Sequence, residues 1–167
     1  MITKHQSKTQ LLTTSALFAA LVCITTAYIF HIPFGANGGY IHLGDTLIYL
    51  AASLLPTPYA VLAAGIGGAM ADLLTAPVWA PATFIVKMLI ALPFTNKGSK
   101  IICARNIVAI FVASIITCTG YAIAEMIIYG SEAMLFVSLV ANLTQAFGSA
   151  IVYFFIGITL DNMRFKR

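Results

Sequence analysis

The chain has 167 residues, 60% of them hydrophobic and 8% charged, with a mean hydropathy of +0.97, whereas a soluble domain carries about a quarter of its residues charged. That balance excludes a water-soluble globular protein and predicts an all-α integral membrane protein forming one domain, 1–167, since no linker or low-complexity tract divides it. The net charge of +4 does not point to nucleic acid, because its carriers sit at the chain ends and in one short loop, where they set membrane orientation.

In chain order, "MITKHQSK" followed by "LLTTSALFAALVCITTAYIF" has the charged-then-apolar order of a secretory signal. The apolar run is too long for a signal core, and Val22 before Cys23 suits neither cleavage nor lipidation, so 10–31 is expected to stay as the first transmembrane helix. Ala16 and Ala20 make a small-residue stripe on it, either for packing inside the bundle or for another membrane subunit. Next comes "NGGYIHLGDTLIYL", a glycine-rich polar loop that turns apolar at Asp45, where the aspartate is expected to cap the second segment, 45–56. "LLPTP" suits a tight turn into the third segment, 58–75, where Gly65, Gly68 and Ala69 permit close helix approach. The remaining segments run at about 81–95, 104–129 and 133–160.

Six segments predict a bundle of six transmembrane helices. The segments at 45–56 and 81–95 are shorter than the ~20 residues of a perpendicular span, so they are tilted, sheltered or re-entrant. Lys4 and Lys8, then Lys97, Lys100 and Arg105, then Arg164, Lys166 and Arg167 all fall on one side if the number of spans is even, which puts both termini in the cytoplasm. The outer side then holds three loops without Lys or Arg, carrying Asn37, Tyr40, His42 and Trp79. Just inside the membrane at that end lie Asp72, Lys87, Glu125, Asn142 and Gln145.

An ionisable side chain within a span costs ~2.5–3.5 kcal/mol on insertion scales and is normally turned to a cavity or partner. Lys87 and Glu125 therefore mark a site, or else neutralise each other as a structural pair. Trp79 and Tyr40 either belong to an interfacial belt or stack on a ligand. Asn142 and Gln145, at i and i+3, share a helix face that meets a neighbouring helix or a substrate. His42 and His31 have no metal-site spacing, and Cys23, Cys103 and Cys118 form neither a disulfide framework nor a zinc pattern. The catalytic signatures G-x-S-x-G, H-E-x-x-H and G-x-x-x-x-G-K-[ST] are absent, and "KGSK" has the wrong order for a phosphate loop, so the chain is expected to be no enzyme and to need no cofactor.

The six hydrophobic segments, the Ala16/Ala20 motif, the basic inner ends and the stretch "GGYIHLGDTLIYLAA" together resemble the substrate-binding S components of energy-coupling factor (ECF) transporters, the vitamin-uptake systems of the bacterial cell membrane. The resemblance implies a high-affinity binding subunit energised by a transmembrane T subunit and two cytoplasmic ATPases. It places Asn37, Gly38, Tyr40 and His42 in a lid over an outer pocket, with Asp72, Trp79, Lys87, Tyr121, Glu125, Asn142 and Gln145 lining the pocket, and Ala16 and Ala20 against the T subunit. "MITKH" lacks the Met-His opening of nickel and cobalt S components, which implies an organic cargo of the hydroxymethylpyrimidine, pyridoxine, pantothenate or queuosine-precursor class. A proton-coupled secondary carrier using Glu125 and Lys87, and an intramembrane enzyme, are the competing classes.

Overall fold

The structure, a computed structural model, describes residues 7–29, 31–33, 40–130 and 135–166. Six helices follow one another: α1 (Lys8–Ala27), α2 (Gly44–Leu54), α3 (Thr57–Thr75), α4 (Ala80–Ala91), α5 (Ala104–Tyr129) and α6 (Leu135–Asn162). A 3₁₀ turn, Pro77–Trp79, precedes α4, and two short strands, β1 (Ile32–Pro33) and β2 (Tyr40–Ile41), lie between α1 and α2.

Local chemistry sets most of the boundaries. Ser7 and Gln10 form a reciprocal capping box at the start of α1. The helix stops at Ala27, earlier than the apolar run, and His31 Nδ1 meets the Thr26 carbonyl at 3.0 Å, taking up an orphan acceptor at the helix end. β1 and β2 then pair antiparallel, Ile32 with Ile41 and Pro33 with Tyr40, so the expected irregular loop has a hairpin base. α4 ends at Ala91 rather than at 95, because Pro93 has no N–H with which to continue the helical ladder. Gly130, in a left-handed conformation at φ 62, terminates α5.

Four helices, α1, α3, α5 and most of α6, are long and apolar enough to cross a bilayer. Their outward faces carry large apolar side chains, among them Phe111, Ile115, Ile127, Phe147 and Phe155, all more than 60% exposed. An exposed apolar surface of that extent belongs in lipid. The 11 residues of α2 would reach only ~16 Å at 1.5 Å per residue. Nine of them are buried, since α1, α3, α4 and α6 pack around the helix. Of the three arrangements open to a short segment, α2 is therefore the sheltered one, and α4 is similarly short at 12 residues.

Glycines on α3 let its neighbours close in. A side chain at Gly67 would collide with the backbone of Ala19 on α1, while one at Gly68 would collide with the stem of Lys87 on α4. Close approach at Gly65 and Gly68 was expected from the sequence; the contact with α1 falls to Gly67 instead.

Candidate functional site

The apolar core of α2 is interrupted by a polar stripe, Asp45, Thr46, Tyr49 and Ser53, all buried. It faces a matching stripe on α6, where Gln145, Ser149 and Tyr153 recur every four residues and so share one face. Gln145 Nε2 donates to Asp45 Oδ2 at 2.9 Å, Thr46 Oγ1 donates to the Ser149 carbonyl at 3.0 Å, and the Ser53 and Tyr153 hydroxyls meet at 2.8 Å.

Lys87 completes the cluster from α4. Its stem runs over Gly68, and its ammonium donates to Asp45 Oδ1 at 2.6 Å, with the two side chains 1% and 0% exposed. Two expectations are corrected here. Asp45 is not the cap of α2: Leu43 takes that position without a side-chain hydrogen bond, and Asp45 lies in the first turn, facing inward. Nor does Lys87 pair with Glu125; it reaches Asp45 because α2 lies at the centre of the bundle, beyond the reach of any spacing argument.

The Lys87 ammonium also lies 5.4 Å from the centre of the Tyr121 ring, close enough for a cation–π contact. The Tyr121 hydroxyl meets Thr83 Oγ1 at 2.9 Å. Trp79 sets its ring against Tyr121 at 6.0 Å and Tyr129 at 5.9 Å. It is almost fully buried, and its Nε1 has no hydrogen-bond partner. Asp72 lies within electrostatic reach of Tyr121, and Glu125, one turn further along α5, is fully buried.

His42 closes the start of α2. Its Nδ1 accepts the Gly44 N–H at 3.0 Å, which leaves the ring proton on Nε2. Burial, with the Lys87 charge acting in the same direction, pushes its pKa down to about 3 despite the opposing pull of Asp45, so the ring is neutral near pH 7.

His42, Asp45, Lys87, Tyr121 and Gln145 are thus brought together at one end of the bundle, with Trp79, Asp72 and Glu125 beside them. The Asn142 amide donates to the Ser138 carbonyl and hydroxyl one turn back on its own helix. Asn37 and Gly38 lie outside the described residues, and of Tyr40 only the backbone, in β2, is described. Ala16 and Ala20 are exposed on the outer face of α1. Sequence reasoning assigned no site role to Asp45 or Thr83. The signal for Asp45 was its i, i+4, i+8 alignment with Tyr49 and Ser53, a polar line inside an otherwise apolar segment.

Among the described residues there is no cluster of three or more His, Cys, Asp or Glu that could hold a metal ion.

The ECF-type riboflavin transporter S component family matches residues 6–162. A Pyrococcus woesei protein, described as an uncharacterized protein in the gap 3' region, is 30% identical over 111 residues, 65% of this chain and 74% of that protein. The solved S component of a bacterial ECF transporter superposes with a TM-score of 0.76 at 19% identity, covering 94% of this chain and 98% of that one. At that identity the likeness shows the fold. The chain belongs to the ECF-type riboflavin transporter S component family, and it is accordingly the substrate-binding subunit of an ECF transporter, not an enzyme.

Proposed function

We propose that this S component captures a flat, ring-containing vitamin or vitamin precursor from the outer side of the cell membrane and holds it between the Asp45–Lys87–Gln145 cluster and the aromatic wall of Trp79 and Tyr121. One observation carries the reading: a fully buried ion pair at one end of the bundle, with an indole and a phenol beside it. Such a pair is weak support for stability, since desolvating two charges offsets most of their attraction. In the binding reading its role is to be rearranged by cargo, whose polar atoms take over partners that Lys87, Asp45 and Gln145 now give one another. His42 belongs to the lid with Asn37, Gly38 and Tyr40, while Asp72, Glu125 and Asn142 complete the pocket wall.

Charge narrows the cargo. Lys87, the buried cation at this end, is already matched by the Asp45 carboxylate. That balance favours a neutral or cationic ring over an anion, so among the candidates hydroxymethylpyrimidine, pyridoxine and queuosine precursors rank above pantothenate. The family's name adds riboflavin, which is also a neutral ring.

With both termini cytoplasmic, the cluster lies outside and the basic loops inside. Uptake then requires the T subunit and the two ATPases, with the Ala16/Ala20 stripe of α1 meeting the T subunit. Titrating the purified chain with riboflavin, pyridoxine, hydroxymethylpyrimidine, queuine and pantothenate tests the reading: one ring compound binds tightly and pantothenate does not. Accumulation in proteoliposomes should need the whole complex. Accumulation by this chain alone, driven by a proton gradient, would instead make it a secondary carrier.

A further inference from the structure

At the opposite end of the bundle, the turn after α6 and the α4–α5 loop enclose a cavity of about 280 Å³ lined by Ser99, Lys100, Asp161, Asn162, Arg164 and Lys166. Three of these six carry positive charge and one negative. The carboxylate of Asp161 is already engaged, its two oxygens accepting the Ile101 N–H at 2.7 Å and the Ile102 N–H at 2.9 Å. Lys166 is only 5% exposed, and its Nζ, removed from solvent, has no hydrogen-bond partner. Burial lowers the Lys166 ammonium from the ordinary lysine range, against opposing contributions from Cys103 and Asp161.

The chain bends to put it there. Arg164 takes the left-handed conformation at φ 54, which side chains other than glycine resist, while the N–H groups of Arg164 and Phe165 bond back to the Asp161 and Leu160 carbonyls. The buried ammonium has three unused donors beside a cavity that two further cations line, and the nearby Asp161 carboxylate is taken up by backbone N–H groups, so the site has room for a further anion.

We infer that this cavity is a second binding site, for the phosphate group of an anionic phospholipid, with Lys166, Lys100 and Arg164 as its donors. The lipid source, over a free phosphate compound, follows from position. These residues lie at the basic end of the bundle with Lys97 and Arg105, and basic pockets at the cytoplasmic membrane surface take anionic head groups. This choice rests on the orientation given above.

The test uses the full chain purified in nonionic detergent, with native mass spectrometry reading retained phosphatidylglycerol, phosphatidylcholine and added inorganic phosphate. One phosphatidylglycerol per chain should survive, phosphatidylcholine should not, and millimolar inorganic phosphate should compete. Replacing two cations near the surface should weaken retention about tenfold or more in Lys100→Gln/Arg164→Gln, whose positions are exposed and tolerate change. Lys166→Gln should weaken it further; if that variant does not fold, the exposed pair decides alone. Phosphate binding without lipid preference would overturn the lipid assignment, and equal phosphatidylglycerol retention by wild type and the double variant would overturn the site. Cargo affinity should be unchanged in Lys100→Gln/Arg164→Gln, so failure of the vitamin reading registers separately.

Discussion

The two ends of this bundle use buried polar groups in opposite ways. At the Lys87 end, Lys87, Asp45 and Gln145 bond side chain to side chain across three helices. At the opposite end, Asn106 accepts the Thr95 N–H at 2.8 Å, and its amide reaches the Thr95 and Ile101 carbonyls and Ser53 Oγ, while Asp161 clamps two further backbone N–H groups. Side-chain partners can be exchanged when a ligand arrives, whereas backbone partners cannot move without unfolding a loop. The Asn106 end is a clasp and the Lys87 end a set of movable contacts. A stacked pair, Tyr49 and Phe94 at 5.0 Å, with Tyr153 set edge-on to both, separates them.

The largest expected effect breaks the Lys87 cluster. Lys87→Ala leaves Asp45 buried with Gln145 alone and should cost about 3–5 kcal/mol in unfolding while abolishing cargo binding. Lys87→Met/Asp45→Leu should recover much of the stability, because apolar groups of similar volume are often as good as a buried pair, yet binding should stay lost. Unfolding in detergent and calorimetric titration of both variants would separate the two roles. Recovery of binding along with stability would contradict them.

Asn106→Ala sharpens the contrast from the other side. It strands backbone groups of Thr95 and Ile101 and should lower stability by about 1–3 kcal/mol, with cargo affinity unaltered at temperatures where the protein is folded.

A smaller effect comes from pH. The folded pKa of His42, about 3, lies below its ordinary 6.5, so the unfolded chain binds that proton more readily. Stability from this residue is complete above about pH 6.5 and declines as pH falls toward 3. Melting temperatures between pH 7 and 4 should drop less steeply in His42→Gln than in wild type; equal slopes would show that Asp45, Lys87 or His31, the charged and titratable neighbours of the ring, dominate.

Smallest for the isolated protein is Ala16→Trp or Ala20→Trp. Both alanines face away from the bundle, so unfolding should shift by less than about 0.5 kcal/mol and binding should persist. Copurification with the T subunit and ATPases should be lost. An intact complex in either variant would remove this stripe from the interface.

Helix existence was legible because apolar runs with Gly and Pro breaks need only local chemistry, and every run from 10–31 to 133–160 has its helix. Lys87 and Gln145 were legible as polar groups at one depth, and Trp79 as an aromatic in the loop above them. Asp45 was misassigned because, next to Gly44, it carries the local signature of a cap; only tertiary placement of α2 between α4 and α6 gives it Lys87 and Gln145 as partners. Asn142 shares the face of Gln145, as its spacing implies, and its amide bonds to Ser138 one turn back on that face. Small residues on α3 announced close packing without saying which neighbour each one meets.

Trp79 is the chain's single tryptophan and lies against Tyr121 in the proposed pocket, so its emission reports on that pocket alone. Fluorescence titration with the ring vitamin that binds should give a saturable change at one ligand per chain, lost in Lys87→Ala. Tight binding by calorimetry with Trp79 emission unchanged, and with the same affinity in Lys87→Ala, would place the cargo elsewhere and contradict the account.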